Sequence, residues 1–305
     1  MLKHLLIPLD GSRLAETAIP VAVMLARRAG AQITLLHVLE RDAPATIHGD
    51  THLTSADDAN DYLSRTAREK FQNIQVQWHV HREQISHVAQ SLANHAHEFT
   101  PDLIVMSSHG QPRLTQRLFG TIPQQIIQRT PTPVLLVQAA TDQPFRHILL
   151  PLNGEATHEA AIELAATMAK LCDATLRLVM VVPTLGSVRG ELASTAQLLP
   201  AATEFVLDLE EKNGAEYLAK HVERLRQSGV SCTAIIARGD PVQVLRQMIL
   251  NQNADMVALA THGAAGTKAF WSGSMGQKLI GQSATSLLLV VARAEEPSAN
   301  VAIQF

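Results

Sequence analysis

The sequence predicts two doubly wound α/β domains in tandem, each a parallel sheet flanked by helices. Three observations carry that expectation. Short apolar runs of strand length alternate with stretches whose apolar residues recur at helical spacing. A strand breaks into a glycine-bearing loop and a helix start at Val105-Met106-Ser107-Ser108-His109-Gly110, with Gly120-Thr121 nine residues on, and the pattern returns as Val257-Ala258-Leu259-Ala260-Thr261-His262-Gly263 and Gly273-Ser274. The opening strand, Leu5-Leu6-Ile7-Pro8-Leu9-Asp10-Gly11, returns 143 residues on as Ile148-Leu149-Leu150-Pro151-Leu152-Asn153-Gly154.

In chain order, the first apolar strand ends in a turn where Ser12 caps a helix. That helix buries Leu14, Ala18, Val21, Ala22 and Leu25 and stops at Gly30. A strand follows at 33–38. Residues 40–57 lack periodicity and carry Pro44 and Gly49, so a long loop is expected. A helix at 58–72, a strand at 74–80, a helix at 85–99 and the strand at 103–106 lead to the glycine loop. Gly120-Thr121-Ile122-Pro123 starts the next helix, and 133–137 is the last strand. The second half repeats the series, with Ala161, Leu164, Ala165 and Met168 on its first helix and a strand at 176–182. An irregular segment is expected at 183–203, then a helix marked by Leu218, Ala219, Val222 and Leu225 that ends at Gly229. A strand at 230–237 leads to Gly239-Asp240-Pro241, where Asp240 caps another helix. The polar joint around Pro144 divides the chain into domains at 1–140 and 145–294, with 295–305 as a loosely ordered tail.

Bulk composition narrows the function. A chain of 305 residues has length for two domains of ordinary size, and a net charge of −3 gives no reason to expect nucleic acid or an acidic membrane as partner. The apolar runs are too short to span a bilayer, and Met1-Leu2-Lys3-His4 leads straight into a strand. Cys172 and Cys232 are isolated, which suits a reducing cytoplasm and small buried side chains. Phosphate-loop and nucleophile-elbow patterns are absent, as are paired carboxylates in a recognisable motif, so no enzyme activity is expected.

A strand, a glycine loop and a helix N-terminus together form an anion cradle, because free backbone N–H groups and the positive helix end point at one place. On these residues the chain resembles the tandem universal stress proteins over about residues 2–138 and 145–292. Nucleotide-binding members of that family carry Gly-x2-Gly-x9-Gly-Ser/Thr in a five-stranded sheet of order 3-2-1-4-5. Gly110 and Gly120, and Gly263 and Gly273, match the second and third glycines, with Thr121 and Ser274 following; Ser107 and Ala260 replace the first. The resemblance implies ATP or a related adenine nucleotide, with or without Mg2+, at the strand-end crevice of one or both halves. Backbone groups of Gly110, Gly120 and Thr121 would hold phosphates, Asp10 the ribose and Val38 the base. Pro8, Met106, Ser107, His109 and Ile122 complete that site. Pro151, Asn153, Val181, Leu259, Ala260, His262, Gly263, Gly273, Ser274 and Met275 are their counterparts in the second half. His109 and His262 are expected to hold the loops rather than to catalyse.

Each half departs from the family pattern differently. Asn153 stands where Asp10 does, and Arg82-Glu83-Gln84 stands where the second half has the family's Gly-x-Pro turn, Gly239-Asp240-Pro241. The first half is expected to be the better site. The strands at 134–137 and 287–291 should meet as an intrachain pseudo-dimer, with a homodimer of whole chains left open. The resulting expectation is a nucleotide-dependent stress-response module; the alternatives are an interaction scaffold with degenerate sites or a metal-binding protein. For the last, His79 and His81 share one strand face and could bind a metal with Glu83. We expect a strand-end polar pair there instead, no metal, and a solvent-facing pair at His95 and His97.

Overall fold

The computed structural model describes residues 2–47, 49–108, 121–138, 145–188, 190–262 and 285–292. Its first half runs β1 (His4–Pro8), α1 (Arg13–Glu16), α2 (Ile19–Ala29), β2 (Gln32–Glu40), β3 (Thr46–Ile47), β4 (Asp50–Thr51), α3 (Ala56–Lys70), β5 (Val76–Ile85), α4 (Val88–Phe99), β6 (Leu103–Ser107), α5 (Thr121–Arg129) and β7 (Val134–Val137). Its second half runs β8 (His147–Pro151), α6 (Ala156–Glu159), α7 (Ile162–Cys172), β9 (Thr175–Val182), α8 (Glu191–Leu198), α9 (Pro200–Gln227), β10 (Cys232–Arg238), α10 (Pro241–Asn251), β11 (Met256–His262) and β12 (Ser286–Ala292).

Among the described residues, all strands but β3 and β4 form one continuous sheet ordered β10-β9-β8-β11-β12-β7-β6-β1-β2-β5. Strands within each half are parallel, and the halves join through an antiparallel pair in which Leu136, Leu135 and Val134 face Leu287, Leu288 and Leu289. Helices cover both faces, so β6 and the middle of β2 are buried throughout and read as unbroken apolar runs. The apolar clusters on the two faces each draw residues from both halves. The sheet therefore has one core on each face, shared by the two halves. In each half the chain first moves outward from the central strand and then returns to its other side. This reversal between β1 and β6, and between β8 and β11, opens a crevice at the strand C-termini. Because the seam is antiparallel, the two crevices open at opposite ends of the sheet.

Several local expectations are corrected. The first helix is two, α1 and α2, with Ser12 capping α1 through Ala15 N at 3.1 Å. Ile85 belongs to β5, which runs on through Arg82-Glu83-Gln84 in place of the turn, and α4 begins only at Val88. Residues 40–57 hold the small hairpin β3–β4. The segment 183–203 is largely helical, containing α8 and the start of the 28-residue α9. Among the described residues no helix is long and apolar enough to cross a membrane. The expected tail at 295–305 lies outside the described residues.

Candidate functional site

The first-half crevice begins where β1 ends. Gly11 takes φ +88°, which favours glycine, and turns the chain so that Asp10 Oδ1 accepts from Ser12 N at 2.9 Å and Ser12 Oγ at 2.6 Å. One carboxylate oxygen is thereby locked. Among the described residues Asp10 Oδ2 has no partner, and the side chain is half-buried.

The end of β2 supplies the second wall. The ladder to β5 shifts register between Val38 and Glu40, a break that disturbs backbone pairing beside Val38. His37 is 2% exposed, with Nδ1 2.8 Å from the Leu9 carbonyl and Nε2 3.3 Å from that of Leu53. Burial pushes its pKa down, outweighing the opposing pull of those carbonyls and of Asp10. A neutral imidazole has one N–H, which makes the better hydrogen bond at the shorter contact, to Leu9. The segment after β2 folds back over the opening, pinned by an Arg13–Asp50 ion pair at 2.9 Å and by His52, whose Nδ1 lies 3.1 Å from the Pro44 carbonyl.

The end of β6 and the first turn of α5 close the far side with Met106, Ser107, Ile122 and Pro123. Beside them Ser108 is 1% exposed, and its Oγ finds no partner among the described residues. Together these segments enclose a cavity of about 240 Å³. Pro8, Asp10, Val38, Met106, Ser107 and Ile122, drawn from four separate stretches of sequence, all line it. His109, Gly110 and Gly120 lie outside the described residues, and Thr121 is described only as the first residue of α5. The sequence did not point to Glu40, Ile47 or His52 as lining residues, because they sit in a segment without periodicity. Val88 and Leu92 of α4 also face the cavity.

The second half is built differently. Asn153 is exposed, and its Oδ1 accepts from Glu155 N at 3.1 Å. Asn153 and Val181 line a cavity of about 500 Å³, but its other wall is α9, with Glu210, Asn213, Gly214 and Tyr217. Gly214 lets α9 approach closely: a Cβ there would stand 2.5 Å from Met180 Sδ. Pro151, Leu259 and Ala260 do not line this cavity. His262 ends β11, and Gly263, Gly273, Ser274 and Met275 lie outside the described residues. The Gly239-Asp240-Pro241 turn instead caps α10, Asp240 Oδ1 accepting from Val242 N and Gln243 N at 3.1 Å.

Elsewhere, Cys172 and Cys232 are buried, which pushes both thiols up to about 11. His97 is exposed, but the expectation of a solvent-facing pair fails at His95. That residue is 8% exposed and its ring lies against His79 and His81, because position 95 falls on the sheet-facing stripe of α4 with Ser91 and Leu92.

Comparison with known proteins adds context. A profile described as the universal stress protein family matches residues 1–138 and again 144–291. The Universal stress protein E homolog of Haemophilus influenzae is 24% identical over 233 residues, 72% of each chain. Universal stress protein Sll1654 of Synechocystis is 30% identical over 139 residues, covering 45% of this chain and 86% of its own. Among solved structures, a functionally unknown protein from Pseudomonas aeruginosa PAO1 superposes with a TM-score of 0.67 at 16% identity, over 95% of this chain and 93% of that one. A universal stress protein from Archaeoglobus fulgidus does so with a TM-score of 0.60 at 15% identity, over 95% and 96%. Both share the fold.

Proposed function

The chain belongs to the universal stress protein family, and from that premise we propose that its first half holds ATP or a related adenine nucleotide, as a cytoplasmic module whose occupancy regulates a stress response. The observation that carries this reading is the convergence of Pro8, Asp10, Val38, Met106, Ser107 and Ile122 on one cavity at a strand-order reversal. The donor set fits such a ligand. Asp10 Oδ2 can accept from ribose hydroxyls. Val38, Leu92, Met106 and Ile122 give the base apolar walls, and the ladder break beside Val38 offers it a backbone edge. We assign the phosphates to the N-terminal end of α5 and to the amides of Gly110, Gly120 and Thr121, because free N–H groups at a helix start favour an anion. The second-half cavity suits the same ligand poorly: Asn153 lacks the carboxylate of Asp10, and Pro151, Leu259 and Ala260 stand outside its lining.

Titration calorimetry with ATP, with and without Mg2+, tests the assignment. Micromolar affinity corresponds to about 8 kcal/mol, and a hydrogen bond to a charged group contributes about 1.5–3 kcal/mol. Asp10→Ala should therefore weaken binding by about tenfold to a hundredfold, Gly120→Val should weaken it further, and Asn153→Ala should leave it unchanged. Absence of heat from the wild type at millimolar ATP would favour the scaffold reading instead.

A further inference from the structure

On the outer strand β5, His79 and His81 point to one face of the sheet, and in register they lie beside Leu36 and Val38 of β2. Over that face runs α4, which presents His95 to them. The ring centroids of His79 and His95 are 4.7 Å apart and those of His81 and His95 5.2 Å, and one ligand nitrogen from each of the three lies within 4.8 Å of the others. We propose that His79, His81 and His95 form a binding site for a divalent transition metal of the zinc type. The site is separate from the nucleotide cavity and does not depend on that reading.

Hydrogen bonding around the cluster fits coordination. Glu98 Oε2 lies 3.1 Å from His95 Nδ1, and a carboxylate can only accept, so Nδ1 carries the proton. With the proton at Nδ1, Nε2 is the nitrogen turned inward, 3.1 Å from His81 Nδ1. A carboxylate that fixes tautomer and orientation in this way is the usual outer partner of a metal-bound imidazole. Ligand atoms about 2.0–2.1 Å from a tetrahedral zinc stand about 3.3 Å from one another, close to the separation already present between His95 and His81. On binding, the proton of His81 Nδ1 passes through solvent to Nε2, so that both facing nitrogens offer lone pairs.

Surroundings shield the cluster on one side and leave it reachable on the other. Phe99 stacks on His95 and meets His79 edge-on, with centroids 5.4 and 5.5 Å away, shielding one side from water. Along the outer edge of β5 runs a cavity of about 470 Å³ whose lining includes His79, His81 and Glu83. No fourth His, Cys, Asp or Glu joins the three within the described group, so water or an added ligand entering from this cavity would take the fourth position. An all-imidazole donor set suits zinc and its neighbours and discriminates against Mg2+ and Ca2+, which prefer oxygen.

The test uses the full chain stripped with a chelator and titrated with Zn2+ against a chromogenic competitor, with Co2+ as a spectroscopic stand-in. One equivalent should bind, with Co2+ showing the visible bands of a low-coordinate site and Mg2+ failing to compete. His81→Ala and His95→Gln should each abolish the Co2+ bands, and Glu98→Gln should weaken Zn2+ by about tenfold to a hundredfold. His97→Ala, one residue pair along the same helix but exposed, should bind as the wild type does. Zn2+ should also raise the melting temperature of the wild type and not that of His95→Gln, provided the variant still melts cooperatively; this separates a lost ligand from a lost fold. The proposal is overturned if the wild type binds less than one equivalent, or if a variant lacking all three histidines retains the metal.

Discussion

At the scale of single residues, burial lowers the pKa of particular histidines. His4 and His37 are each held below the usual histidine value near 6.5, chiefly by burial. Below that value the unfolded chain binds more protons than the native one, so the stability these residues contribute above it is lost as pH falls. The melting temperature should therefore drop between about pH 7.5 and about pH 5.5, and His37→Gln should make that drop shallower. Glycine is the other residue whose role is local. Gly11 and Gly49 take nearly the same φ, +88° and +87°, but a Cβ at Gly11 would stand 2.7 Å from Leu53 Cγ while one at Gly49 meets nothing within 4 Å. Both alanine variants incur backbone strain of about 1–3 kcal/mol. Only Gly11→Ala adds the clash, so urea titration should find it the less stable of the two. The sequence showed that Gly11 ends a strand; that Leu53 rests on it depends on how residues 40–57 fold back.

At the scale of elements, helix starts were easier to read than helix extents. Asp240 before Pro241 announced α10, and the side chain caps it through two amides. Replacing it with alanine should cost about 1 kcal/mol, seen as a lower urea midpoint without a change in slope. By contrast α8 and α9 were missed over 183–203. Pro200 occupies the first turn of α9, where its missing N–H costs nothing. Leu198, Leu199 and Phe205 are 80%, 59% and 70% exposed, which blurs the one-sided apolar stripe that sequence periodicity relies on. The buried position of His95 was not expected for a different reason: the edge strand β5, which precedes α4 directly in the chain, covers the helix face on which His95 lies.

At the scale of the whole molecule, the repeat reaches into contacts that the motif spacing does not reveal. Asp102 accepts from the amides of Lys3 and His4 at 2.6 and 3.0 Å, and Asp255 from those of Arg146 and His147 at 2.6 and 2.8 Å. Tyr62 donates to Glu16 at 2.9 Å, and Tyr217 to Glu159 at 3.0 Å. The halves are joined by the β7–β12 pair, and on one face by α2 against α7, where Arg28 donates to the Leu171 carbonyl at 2.6 Å and to Asp173 at 2.8 Å. The ion pair is exposed and contributes little, so the apolar seam carries the coupling. Trp78 and Trp271 lie one in each half of the chain. Single-tryptophan variants should unfold with coincident urea transitions. Leu135→Lys, placing a charge at a fully buried seam position, should destabilise by several kcal/mol and separate the two transitions.

By itself the sequence determined the alternation of strands and helices, the duplication, and the strand-end residues Asp10, Val38 and Ser107, because strand and helix periods and turn chemistry are local properties. Tertiary structure decided which of the two crevices is closed by a folded-back segment and which by α9. It also decided that a buried helical histidine meets two on a strand. Those outcomes depend on side chains meeting across the sheet, and sequence spacing carries no record of which distant faces come together.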